Sequence, residues 1–486
     1  MAWDKLNRKE IAEMQNKLLR NMIQNQLAHY SPFYKRLFRE KKIDPASIRT
    51  TEDLKKIPFI SKEDIAPTVQ NPKKHTDFIL QPTPELIKEH YPKTALAGKL
   101  VRSGFSMEKV QDALRWEYYP VHIHFTTGRS ANPTAFVYTK FDIENLKTSG
   151  ERLFQVFNLK KTDVVINGFP YAPHLAFWQV YYAAEKLGMM CLHTGGGKVM
   201  GSNKIITAIA NLKPQALTFI PGYAYYLFRK AAEMKKDFSS VHTVIFGGER
   251  VPPGLKTKVV ELLTQMGAKN PRVLATYAMT ESRVAWGECH HENSTGYHLY
   301  PDMEFFEIID PNTGERVNEG EPGEIVYSAL NWRGSCVLRY RTGDLAKEGI
   351  HYDKCPNCGR TCPRIGANIQ RVSDMKEFHL TKVKGSLVNL NIFYPMLMNN
   401  PDILEWQVEL RKENDDPYGL DELHLHLAIP PSTNFEELKR KLSDEILTEM
   451  EIKPTSIQLH DVNSLLDRLG MESETKEKRI VDNRPK

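Results

Sequence analysis

At 486 residues, with 41% hydrophobic and 26% charged side chains, the chain has the make-up of a soluble globular protein large enough for two or more domains. Its net charge of +6 is mild and dispersed. No basic stripe interleaved with aromatics, no apolar run near the ~18 residues of a membrane helix and no secretory core appear, so no nucleic-acid partner and no membrane insertion are expected. Six cysteines in a chain this long point to a reducing, cytoplasmic compartment, not a disulfide scaffold.

In chain order, residues 1–66 read as polar helices with a loop near Ile43-Asp44-Pro45, and residues 67–120, rich in Pro and Lys, show little period and read as a surface excursion. From 163 short apolar runs alternate with amphipathic ones. Strands are predicted at Asp163–Gly168, Met189–His193, Ala216–Ile220, Val241–Phe246 and Arg272–Thr276, and helices at Trp178–Leu187, Asn203–Leu212, Tyr223–Lys235 and Leu255–Met266. That alternation predicts an α/β fold with a mainly parallel sheet, and ligands at the carboxyl ends of its strands. Residues 303–342 turn β-rich (Met303–Ile309, Glu324–Leu330, Cys336–Tyr340). From about 371 a small α+β unit follows, with strands at Glu405–Leu410, Glu422–Ile429 and Ser456–His460 and a helix at Phe435–Met450.

Six segments carry candidate chemistry. In Phe125-Thr-Thr-Gly-Arg-Ser-Ala-Asn-Pro-Thr134 the hydroxyls of Thr126 and Thr127 flank Gly128 and Arg129, a pattern suited to wrapping phosphates, though also to a plain turn. At the end of a predicted strand, Gly247 and Gly248, followed by Glu249 and Arg250, let a flat base lie on the backbone; a tight strand–helix turn reads equally well. In Tyr277-Ala-Met-Thr-Glu281, Tyr277 can stack on a base, Thr280 can touch a phosphate and Glu281 can hold Mg²⁺ through oxygen. Leu338-Arg-Tyr-Arg-Thr-Gly-Asp344 follows the β-like run Cys336–Leu338, and Asp344 can accept two hydrogen bonds from the vicinal diol of a ribose. The segment Ser473-Glu-Thr-Lys476-Glu-Lys-Arg479 reads alone as a charged tail. Cys355-Pro-Asn-Cys358 is half of a tetrahedral zinc site or a redox pair. Cys289 and His298 are the best second half, with His290, His291 and Cys362 as spares.

In this order and spacing the segments resemble the phenylacetate–CoA ligase branch of the adenylate-forming (acyl-CoA synthetase) superfamily. Ser31-Pro-Phe-Tyr34, Ile57-Pro-Phe-Ile-Ser-Lys-Glu-Asp64, Thr194-Gly-Gly-Gly197, Pro221-Gly-Tyr-Ala224 and Cys358-Gly-Arg-Thr361 belong to the same resemblance. It implies a large N-terminal ATP- and acid-binding domain, 1–370, containing mixed and parallel sheets, helices and a zinc knuckle at 355–362. A small mobile C-terminal α+β domain, 371–486, would follow. It implies ATP, Mg²⁺, coenzyme A and structural Zn²⁺ as cofactors, a small carboxylic acid as substrate, and a homodimer.

By the same resemblance Lys476 is the adenylation lysine, with Lys478 as its neighbouring alternative; Glu281 holds Mg²⁺, Asp344 and Arg371 the ribose, and Tyr277 the adenine. Tyr171, His174, Phe177, Gly195 and Gly196 line the acid pocket, whose aromatic content favours an aryl acid. Departures from the family pattern are Phe125 and the lengthened run before Pro133, Ala278, Thr475, a long 67–120 stretch, and Ser373 where the hinge acid normally stands. Rival readings are adenylylation with a deazaflavin, amine or protein acceptor, and a catalytically silent nucleotide-binding homologue.

Overall fold

Arg8–Arg20 starts as a helix because Asn7 and Glu10 form a reciprocal capping box. It runs on through a wider-wound stretch, Asn21–Leu27, into Ala28–Tyr30, and Ser31 caps the next helix, Pro32–Glu40. The computed structural model describes residues 3–126, 133–249, 251, 253–291, 294–371, 380–383, 386–416, 420–450, 452–470 and 477–484. The chain forms two compact units, residues 1–162, 172–190 and 276–370 in the first, and 163–171, 191–275 and 371–486 in the second.

In the first unit the hairpin Pro120–Phe125/Ala135–Thr139 leads into the helix Lys140–Val156, which Thr139 and Asp142 cap. Leu175–Leu187 packs on that helix so closely that a Cβ at Gly150 would lie 2.8 Å from Ala183 Cβ. A four-stranded sheet takes Glu304–Ile309, Gly323–Ala329, Tyr340–Ala346 and Ile369–Arg371 in that order, the first three antiparallel, and a smaller antiparallel one joins Ile350–His351, Arg364–Ile365 and Tyr297–His298.

Two expectations are corrected here. Residues 84–118 are not aperiodic: they form the helices Pro84–His90, Lys93–Arg102 and Met107–Tyr118. Each is too short for a helical period to stand out, and Pro84 and Pro92 mark starts, not breaks. The stretch is also anchored. Buried Glu117 accepts from Arg333 Nε at 2.8 Å and pairs with Lys99 at 2.9 Å, and Tyr118 Oη donates to Gln26 at 2.8 Å.

The second correction concerns the run Cys336–Leu338, which is not the strand. Arg339 adopts a left-handed φ of 49°. It is held there by Glu307 at 3.2 Å, by Ile57 O at 2.8 Å and by the Phe59 ring, 3.8 Å from its guanidinium carbon. The strand begins only at Tyr340.

The second unit carries a parallel sheet of Val165–Asn167, Cys191–His193, Ala216–Phe219, Thr243–Phe246 and the first residues of Arg272–Met279. In space the second of these strands flanks the first, and the third, fourth and fifth follow on its other side. The winding therefore reverses between Val165–Asn167 and Ala216–Phe219, the switch point of a doubly wound sheet. Ile205, Leu217, Phe219, Leu227, Phe228, Val244 and Val259, all fully buried, fill its core.

A second core in this unit lies between the sheet of Ser456–Leu459, Asp421–Ala428, Glu405–Lys412 and Ile480–Asp482 and the helix Phe435–Met450. Alternation puts Trp406, Val408, Leu410, Leu423, Leu425 and Leu427 inside. Ile480–Asp482 is a parallel strand on Glu405–Lys412, so these three residues of the charged C-terminal segment are part of the sheet.

Candidate active site

Tyr277 lies inside the strand Arg272–Met279, and the four residues Thr280–Arg283 turn the chain into the antiparallel strand Val284–Gly287. Thr280 and Glu281 therefore sit at a hairpin tip, half-exposed. The tip is pinned from below by Arg283, which is fully buried with a φ of 65°. Arg283 lies 3.7 Å from Asp142 and packs its guanidinium carbon 4.2 Å from the Trp332 ring centre. Its backbone N–H donates to Met279 O at 3.3 Å and Thr280 O at 3.2 Å. Nothing in the spacing of Arg283 marked it; the available signal was a lone cation in the apolar run Val284-Ala-Trp286.

The strand Tyr340–Ala346 breaks register opposite Glu324 and Val326, and Gly343, at a φ of 72°, makes the break possible. The irregularity is fixed by Thr342, whose Oγ1 donates to Ile325 O at 2.8 Å and accepts from Asp344 N at 3.0 Å, and by Arg341, whose Nε donates to Glu324 at 3.0 Å.

Two hydrogen bonds then join this strand to the hairpin. Tyr277 Oη donates to Asp344 Oδ2 at 2.8 Å, and Tyr340 Oη donates to Glu281 Oε1 at 2.8 Å. Burial, and next the Glu281 charge, raise the Tyr340 hydroxyl well above its ordinary pKa, so it remains a donor. Tyr277 also stacks on Trp286, ring centres 5.3 Å apart. Two motifs some sixty residues apart thus share one face of the first unit. A carboxylate has about four acceptor sites, so Asp344 can serve Tyr277 and a diol together.

Thr126 is buried and clips the base of its loop: its N–H donates to Thr134 O and its Oγ1 accepts from Thr134 N, both at 3.0 Å. Thr127, Gly128 and Arg129 lie outside the described residues, as do Arg250, Ser373 and Lys476. Arg371 is placed by its backbone alone, at the end of Ile369–Arg371.

In the second unit Gly247 and Gly248 leave the strand Thr243–Phe246 at its carboxyl end, with Glu249 after them. Gly248 has a φ of 85°, and among the described residues beyond its chain neighbours no atom lies within 4 Å of where its Cβ would be, which leaves room there for a flat group. Tyr171, Gly195 and Gly196 also belong to this unit; Tyr171 is 63% exposed and donates its N–H to Gly195 O at 3.2 Å. A Cβ on Gly196 would come within 3.1 Å of Pro170 Cα, which is why a glycine stands there. His193 contacts Asn167 Nδ2 at 3.1 Å, and burial lowers its pKa, which favours the neutral imidazole. His174 and Phe177 belong to the first unit; His174 Nδ1 bonds Phe125 O at 3.0 Å and Phe177 is buried.

The structure gathers Cys289, His298, Cys355 and Cys358, with their ligand atoms within 4.8 Å of one another. Cys289 Sγ and Cys355 Sγ are 3.8 Å apart, and Cys358 Sγ lies 3.4 Å from His298 Nε2. A tetrahedral ion with bonds of about 2.3 Å to sulfur and 2.0 Å to nitrogen requires edges of about 3.8 and 3.5 Å. Cys362 Sγ instead lies 3.4 Å from the other ring nitrogen, His298 Nδ1, and His290 Nδ1 bonds Val156 O at 3.0 Å. Gly359, at a φ of 74°, closes the knuckle by donating to Cys355 O at 3.0 Å.

A family model described as AMP-binding enzyme matches residues 56–332. The phenylacetate-coenzyme A ligase of Thermus thermophilus is 26% identical over 441 residues, 90% of this chain and 84% of its own length. That of Aromatoleum evansii is 25% identical over 467 residues, 94% of this chain and 90% of its own. Among solved structures, 2-hydroxyisobutyryl-CoA ligase in the postadenylation state in complex with R3-HIB-AMP superposes with a TM-score of 0.73. That match covers 99% of this chain and 91% of the other at 21% identity, a likeness of fold.

Proposed function

The chain belongs to the AMP-binding enzyme family, in its phenylacetate–coenzyme A ligase branch. From that premise we propose that it activates a carboxylic acid with ATP and passes the acyl group to coenzyme A. The observation that carries this reading is the pair of hydrogen bonds, Tyr277 to Asp344 and Tyr340 to Glu281. They hold together Tyr277, Asp344 and Glu281, the residues this reading assigns to the base, the ribose and Mg²⁺.

The acid's carboxylate attacks the α-phosphate of ATP; the bond to the β-phosphate breaks, and pyrophosphate leaves. In this reading Thr280 touches the α-phosphate, Asp344 and Arg371 take the ribose hydroxyls, and the Gly247–Gly248 turn borders the adenine. Lys476 offsets the charge that builds between carboxylate and phosphate. The thiolate of coenzyme A then attacks the acyl carbonyl and AMP leaves. Both steps are largely positioning and charge neutralisation.

Glu281 is the residue that would hold Mg²⁺, which supplies charge compensation to the departing pyrophosphate. The donor set Cys289, His298, Cys355 and Cys358 fits a structural zinc, whose thiolates leave no open position for water. The aromatic side chains Tyr171 and Phe177 favour an aryl or arylacetic acid. A cytoplasmic location, in keeping with six free cysteines, and a homodimer belong to the same reading.

The test is pyrophosphate release across a panel of aryl, arylacetic and aliphatic acids, with and without coenzyme A. Release with an aryl acid, and AMP formation that requires coenzyme A, are expected. ATP binding without release for any acid would overturn the reading. A second expectation concerns Glu281. Tyr340→Phe removes the bond that orients it, and the Mg²⁺ concentration for half-maximal release should rise about tenfold with the melting temperature little changed. An unshifted Mg²⁺ dependence would remove Tyr340 from the site.

A further inference from the structure

The crevice of a doubly wound sheet lies at the carboxyl ends of the strands where the winding reverses, here Val165–Asn167 and Ala216–Phe219. Ala216–Phe219 leads directly into the helix Pro221–Glu233, whose N-cap, Ile220, offers no side-chain hydrogen bond. Glu477 lies on that helix end. A Cβ built on Gly222 would stand 2.1 Å from Glu477 Oε2 and 2.7 Å from its carboxyl carbon. Oε2 is buried and has no hydrogen-bond partner among the described residues, while Oε1 accepts from Arg479 Nε at 2.6 Å.

Arg479, 2% exposed, also donates to Glu405 at 2.8 Å and to Trp406 O at 3.3 Å. Between them, Lys478 N donates to Leu469 O at 3.0 Å, and Lys478 O accepts from Gln407 at 2.8 Å. Residues 477–479 are therefore fixed on both sides. A carboxylate oxygen buried without a donor is costly. The N-terminal end of a thirteen-residue helix, with its partial positive charge, is where that cost is offset.

We propose that Glu477 is a positioning residue for adenylate formation. It latches residues 477–479, next in sequence to Lys476, onto Gly222 at the switch-point crevice, and residue 222 is glycine because any side chain there would displace the carboxylate. The inference rests on the reading of Lys476 as the adenylation lysine.

Glu477→Gln keeps the shape and removes the charge; Gly222→Ala keeps the charge and fills the contact. Each is expected to lower kcat for pyrophosphate release about tenfold with the KM for ATP within about twofold. Each should leave the coenzyme A-dependent consumption of a supplied acyl-adenylate within about twofold. The double variant Gly222→Ala/Glu477→Gly should be no slower than Glu477→Gly alone, because the contact is already absent. Additive losses, equal losses in both half-reactions, or no loss in either would overturn the latch.

A readout independent of turnover is hydrogen–deuterium exchange on the full chain. Both single variants should exchange faster at residues 477–482 and in the first turn of the helix at 221–224. Unchanged exchange overturns the latch even in an active ligase. Faster exchange in a chain whose wild type releases no pyrophosphate with any acid leaves the contact standing and overturns its assignment to adenylation.

Discussion

Lys476→Ala is expected to slow acyl-adenylate formation by about 10²–10³-fold, while thioester formation from a supplied acyl-adenylate stays within about threefold. The asymmetry follows from where charge develops. Attack of the acid on ATP brings an anionic carboxylate onto an anionic phosphate, and one ammonium at that junction is a large fraction of the stabilisation available. In the second step the mixed anhydride is already activated and AMP leaves with its charge held by the ribose and phosphate contacts. Lys478→Ala is the control. Its backbone is committed to Leu469 and Gln407 and its side chain is exposed, so its loss should change either rate by less than about threefold. Single-turnover pyrophosphate release and acyl-adenylate consumption measure the two steps separately. Equal loss of both steps in Lys476→Ala, or a large adenylation loss in Lys478→Ala, would move the assignment to the other lysine.

The parallel strands were legible because a strand buried on both faces reads as a short apolar run. Val165–Asn167 and Thr243–Phe246 are such runs, and Phe435–Met450 announced itself by period. What escaped were features set by partners distant in sequence. Glu117 and Arg333 form one buried pair 216 residues apart, and no local pattern signals that the 84–118 helices are anchored by it. Cys336–Leu338 looks like a strand by composition, yet the left-handed Arg339 after it, held by Glu307 and Ile57, delays the strand to Tyr340. The nucleotide motifs were each visible, but their joining through the Tyr277 and Tyr340 hydroxyls was not, since Tyr277 read only as a stacking ring and Tyr340 carried no role of its own. The knuckle Cys355–Cys358 was legible from spacing. The roles of Cys362 and His290 depended on which atom of His298 faces the thiols and on a carbonyl at Val156, neither of which a sequence states.

Removing the zinc predicted for Cys289, His298, Cys355 and Cys358 should have effects well beyond the knuckle. Cys289 follows the strand Val284–Gly287, which is hairpinned to the tip bearing Thr280 and Glu281, and His298 lies in Tyr297–His298. Cys355 and Cys358 lie in the loop between Ile350–His351 and Arg364–Ile365, and that loop follows closely on the strand bearing Asp344. An ion on these four ligands would tie the hairpin to the sheet next to the ribose strand, across a three-stranded sheet whose members are only two residues long. Strands that short have few ladder hydrogen bonds, so the metal would carry much of their stability. Metal analysis should find about one zinc per chain. Cys358→Ser should abolish most of it, lower the melting temperature by at least about 5 °C and raise the KM for ATP several-fold, as Asp344 and Glu281 lose their fixed separation. Chelation of the wild type should reproduce both effects, and added Zn²⁺ should reverse them. A purified chain without metal that melts at the same temperature as Cys358→Ser would show that the thiols hold the loop through packing alone.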